Sequence, residues 1–107
     1  MKPKVYTNQS NQYTAYPLGG MGAGMFLLEG NGGYTDFSVF HRPNLYESPL
    51  VFAALCIKGE NGNTAVALEG QTPHWKIRQQ RAPHELPKFK NCTFSAEFPF
   101  GKVQLED

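Results

Sequence analysis

The chain has 107 residues, of which 40% are hydrophobic and 13% aromatic, and its formal net charge is +1. That length is about one small domain with a modest core, and so balanced a charge argues against a nucleic-acid partner. The longest apolar run, "PLVFAALCI", is far too short to span a bilayer, so no transmembrane segment is predicted.

Residues 1–15 read as an extended, polar lead-in. They hold no apolar stretch of the kind a signal peptide needs, which favours a cytoplasmic location. From residue 16 to 107 the pattern is that of short strands and turns. "YPLGGMGAGMFLLEG" is glycine-dense and ends in an apolar run of strand length. "NGG" supplies residues that tolerate positive φ, the chemistry of a tight turn. "YTDFSVFH" is aromatic and β-branched and predicts a strand with Tyr34, Asp36, Ser38 and Phe40 on one face.

"RPNLYESP" is a loop bracketed by Pro43 and Pro49. "LVFAALCIK" is nearly all apolar, which predicts a strand buried on both faces. "GENGN" then turns the chain into "TAVALEG", so Leu50 to Glu69 reads as a hairpin. "QTPHWKIRQQRAPHELPKFKN" is irregular and punctuated by three prolines. "CTFSAEFPF" and "KVQLED" predict a second hairpin. No amphipathic helix is found. The expected fold is all-β, a partial antiparallel β-sandwich of about six to seven short strands.

The glycine cluster is not a phosphate loop. No lysine follows Gly24 as a Walker loop requires, and Met25 stands where a dinucleotide fingerprint needs its last glycine. Gly20, Gly22 and Gly24 alternate, which predicts one bare strand face against which another domain packs. No cofactor motif is present, and no Cys/His spacing suggests a metal. Cys56 and Cys92 each lie in apolar runs and read as two buried thiols, with a disulfide as the other possibility.

Glycoside hydrolysis usually needs two carboxylates held several ångströms apart. Most of the nine acids fall at turns or on exposed strand faces and read as solvated. Asp36 lies among aromatics near His41 and Arg42, where a surface salt bridge is the plain reading. A Ser38–His41–Asp36 triad fails on strand geometry, since His41 points away from the other two. No catalytic residue is therefore assigned. The segment from His74 to Lys90 carries Lys76, Arg78, Arg81, Lys88 and Lys90, flanked by Trp75 and Phe89, and reads as a solvated loop with one anchored tryptophan.

"PLGGMGAGMFLLEG", "DFSVFHRP" and "PLVFAALCIKG", in that order, resemble the N-terminal domain of family 116 glycoside hydrolases, the bile acid β-glucosidase or non-lysosomal glucosylceramidase group. The resemblance implies a β-sandwich packed on an α-helical toroid that holds the catalytic carboxylates. It also implies that this chain is an N-terminal fragment, incomplete at its C-terminus, whose partner is the C-terminal catalytic domain of the parent. Two other readings stay open. One is an independent carbohydrate-binding module stacking sugars on Trp75, Tyr34, Tyr46 or Phe40. The other is an interaction domain whose open strand edges pair with copies of itself as a dimer or larger oligomer.

Overall fold

The computed structural model describes residues 2–77 and 86–107. The chain is all-β. Its strands are β1 (Lys4–Tyr6), β2 (Ala15–Gly20), β3 (Gly24–Glu29), β4 (Tyr34–Ser38), β5 (Ala54–Gly59), β6 (Gly62–Ala67), β7 (Asn91–Glu97) and β8 (Phe100–Glu106), with 3₁₀ turns at Ser10–Tyr13 and His74–Lys76. They pair antiparallel in three small sheets, ordered β1-β7-β8, β2-β3-β4 and β5-β6. Among the described residues no helix is long and apolar enough to cross a membrane.

Both predicted hairpins form. β5 and β6 pair from Ala54 opposite Ala67 to Gly59 opposite Gly62. β7 and β8 pair from Asn91 opposite Glu106 to Glu97 opposite Phe100. The lead-in is more than a tail: Lys4 to Tyr6 add an edge strand to β7.

The glycine-rich stretch departs from expectation. Gly20, Gly22 and Gly24 do not share one strand face, because β2 ends at Gly20, the chain turns, and Gly24 returns opposite Gly20 as the start of β3. Gly22 and Gly24 have φ of 74° and 81°, a region that suits glycine and strains other residues, so the run is a hairpin tip and not a strand. The Ala23 N–H donates to the Gly20 carbonyl at 3.0 Å and closes the turn. Gly24 is also sterically required, since a Cβ there would lie 2.9 Å from the Ser38 carbonyl oxygen.

β4 departs as well. Met25 pairs with Ser38, but Leu27 pairs with Thr35, so β4 carries one residue more than β3 across that interval. The extra residue is a β-bulge, with Asp36 at φ 52°. The strict alternation of faces expected for "YTDFSVFH" stops there.

The two three-stranded sheets meet through aromatic side chains. Phe94 of β7 is only 1% exposed, and its ring lies 6.1 Å from Tyr16 of β2 and 6.3 Å from Tyr6 of β1. Gly101 of β8 leaves room for Tyr16, whose Cδ1 would be 3.1 Å from a Cβ at that position. The expectation for "LVFAALCIK" is overturned: every residue of β5 is exposed. The hairpin is tied down at its base, where Ala67 N–H donates to Pro87 O at 2.9 Å and Leu68 N–H to Ala53 O at 2.8 Å. No described sheet covers its faces. Cys56, on β5, is accordingly exposed and free, and only Cys92 is a buried thiol.

Candidate functional site

The interior beside β3 is polar. Glu29 ends β3 and is buried, and Lys76, in the second 3₁₀ turn, is buried against it with its Nζ on Glu29 Oε1. A second buried pair joins Lys88 Nζ to Glu69 Oε2 at 2.9 Å, and the same Nζ donates to Thr72 Oγ1 at 2.6 Å. Both pairs line one cavity of about 20 Å³, enough for a single water. Glu29 and Glu69 are thus not solvated acids, and Lys76 and Lys88 do not belong to a solvated loop. Removing water from two unit charges is costly, and here each buried charge lies against one of opposite sign. Asn11 knits the same region together, its side-chain amide donating to Gly30 O at 3.2 Å and Cys92 O at 3.1 Å.

A larger cavity of about 240 Å³ opens beside this one, between the two 3₁₀ turns, β3 and the bulge of β4. Trp75 forms part of its wall. The indole N–H donates to Gln12 O at 2.8 Å, and the ring runs nearly parallel to Tyr13, at 13° and 6.3 Å between centroids. Gln12 Oε1 also meets His74 Nδ1 at 2.7 Å. These contacts fix the tryptophan while leaving it 40% exposed. Asp36 and Tyr46 line the same cavity. Asp36 Oδ1 accepts the Glu47 N–H at 2.9 Å, and the Asp36 N–H donates to Glu47 O at 3.0 Å. This reciprocal clamp replaces the salt bridge to His41 or Arg42 expected from the sequence, because the bulge turns Asp36 toward Glu47.

Of the four aromatic candidates, Trp75 and Tyr46 therefore share the larger cavity. Tyr34 lines the small ionic one and packs edge-on against Phe26 at 5.7 Å. Phe40 is exposed and lines neither. Ser38 Oγ accepts the Asn44 N–H at 3.0 Å, so Ser38, like Asp36, is engaged with loop backbone and not with His41. Arg78, Arg81 and Glu85 lie outside the described residues. Tyr13 and the Glu29–Lys76 pair were not singled out from the sequence. A lysine after a tryptophan in a proline-rich loop carries no spacing that would mark it as buried.

Cys92 is the other buried ionisable group. Burial pushes its thiol up to about 11, against a smaller lowering by a hydrogen bond with the Gly70 backbone. It donates to Gly30 O at 3.3 Å and is a packing residue, not a nucleophile.

A family model described as beta-glucosidase 2, glycosyl-hydrolase family 116 N-term matches residues 15–107. The match begins with β2 and takes in every strand except β1. No curated protein and no solved structure matches the chain.

Proposed function

The chain belongs to the glycosyl-hydrolase family 116 N-terminal domain family, and from that premise we propose that it is the non-catalytic β-sandwich part of a β-glucosidase- or glucosylceramidase-like enzyme, bracing a catalytic domain elsewhere in the parent chain. The observation that supports a bracing role is the β2–β3 tip. A Cβ at Gly22 would meet nothing within 4 Å, and one at Gly20 would meet only the Ala23 methyl at 4.0 Å. Met21, between them, is fully exposed. The tip is a surface stripped of side chains beside an apolar knob, and it borders an open concavity of about 350 Å³ that includes Leu18 and Met25. Such a surface suits close approach of another backbone. The acids support the non-catalytic part of the reading: Glu29 and Glu69 are committed to lysines and Asp36 to the Glu47 backbone.

Gly20→Leu separates bracing from folding. In this chain by itself the substitution fills open space and leaves the melting temperature within the scatter of surface changes, about 0.5 kcal/mol. In the full-length parent the same leucine wedges the tip away from the catalytic domain and lowers both melting temperature and β-glucosidase turnover. An unaffected parent enzyme ends the proposal, as does β-glucoside hydrolysis by this chain alone.

A further inference from the structure

The geometry of the larger cavity points to a binding site for one neutral pyranose sugar, walled by Trp75 and Tyr46 with Asp36 as acceptor for its hydroxyls. The site is independent of the bracing role. Its volume of about 240 Å³ lies below the roughly 300–1,000 Å³ of pockets that enclose drug-sized ligands, the scale of a monosaccharide and not of a polymer. A pyranose with equatorial hydroxyls turns axial C–H groups onto both ring faces and is in effect an apolar disc with a polar rim. Tyr13, Trp75 and Tyr46 present flat apolar surface, and Gln12 and Asp36 supply polar groups on the same lining.

Asp36 is prepared for the task. Its Oδ1 is held by the Glu47 N–H at 2.9 Å, so the carboxylate is fixed in place before a ligand arrives. A sugar hydroxyl donating to it makes a charge-assisted bond, stronger than a neutral one. Asp36 and Tyr46 both have positive φ, 52° and 60°, and such strain in residues other than glycine concentrates at ligand clamps. The bulge at Asp36 fits the same pattern, since bulges re-aim side chains beside sites. Three aromatics and a carboxylate also resemble a cage for an organic cation, but that ligand is disfavoured here. The Lys76 ammonium already lies 5.5 Å from the Trp75 ring centroid and would repel a second cation from that ring.

Trp75 is the sole tryptophan, so its emission reports on the cavity directly. Titrating the chain with methyl β-D-glucopyranoside produces a saturable change with Kd of about 1 mM, and choline chloride produces none. Asp36→Asn keeps the Oδ1 acceptor for Glu47 and tolerates positive φ, as does asparagine in Tyr46→Asn. Each variant retains the native circular dichroism and weakens the sugar about tenfold, the effect of removing a central contact. Absence of sugar saturation up to about 100 mM overturns the site. So does saturation by choline in place of the sugar, or native affinity in either variant.

Discussion

The β5–β6 and β7–β8 hairpins are built on the same plan, each an antiparallel ladder closed by a two-residue turn between Gly59 and Gly62 or between Glu97 and Phe100. Their burial runs opposite to their hydrophobicity. β5, from the most apolar run in the chain, leaves Leu55 at 43% and Ile57 at 57% exposure, while β7, with its alternating polar residues, supplies Cys92 at 4% and Phe94 at 1%. The difference is in what each meets. β7 is central in its sheet, between β1 and β8, and Phe94 reaches the facing sheet at Tyr16. β5 has β6 on one edge and no described layer over either face. Apolar side chains contribute stability when a second layer removes them from water, and a lone two-stranded ribbon has none to offer.

That contrast can be broken in several ways. The largest expected effect is Phe94→Ala, which opens a cavity in the aromatic cluster between the sheets and costs about 3–5 kcal/mol in urea unfolding. Ile57→Ala on the ribbon costs under about 1 kcal/mol. Equal losses at the two sites would dissolve the distinction.

Next comes the ionic interior. Lys76→Met leaves Glu29 buried without its cation and costs about 3 kcal/mol, and adding Glu29→Gln recovers most of that loss. A single variant as stable as the parent would mean that the pair is more hydrated than its burial implies.

The two cysteines sharpen the comparison at smaller scale. Cys92 is held near 11 because burial strips its thiolate of water, whereas in the unfolded chain it titrates near 9.0. The neutral folded thiol is favoured, so this contribution is fully present below pH 9.0 and is lost as pH rises toward 11. Its size is at most about 3 kcal/mol, read as the difference in alkaline stability between the native chain and Cys92→Ala. A thiol reagent labels the exposed Cys56 at once and Cys92 only as the structure opens. Equal labelling rates would place both residues in the same environment.

The smallest effect is association. We expect the open edges and apolar faces of the ribbon to promote concentration-dependent self-pairing in light scattering, and Ile57→Lys to reduce it. Scattering that is flat with concentration, or unchanged by the lysine, would remove the ribbon from consideration as a self-association surface.

Much of the fold was legible along the chain. The turn residues of "NGG" and "GENGN" and the alternation in "CTFSAEF" are local signals, and local signals located β3 to β8, although β4 ends at Ser38 and β5 begins only at Ala54. Trp75 was legible as an anchored side chain, and its indole N–H is bonded to Gln12 O. The bulge at Asp36 was not, because an extra residue in one strand is defined only against the register of its neighbour. Nor were the partners of Glu29 and Glu69, since Lys76 lies far from Glu29 in sequence and is brought to it only by the fold.

The sequence by itself determined that this protein is all-β, where the turns after β3, β5 and β7 fall and which family it belongs to, because turn chemistry, strand propensity and ordered motifs act over a few residues. Tertiary structure alone decided which apolar strand is covered, which charges are paired and which aromatics share a cavity. Those outcomes depend on what lies across a gap from each side chain, and burial, ion pairing and cavity shape are properties of segments brought together from distant parts of the chain.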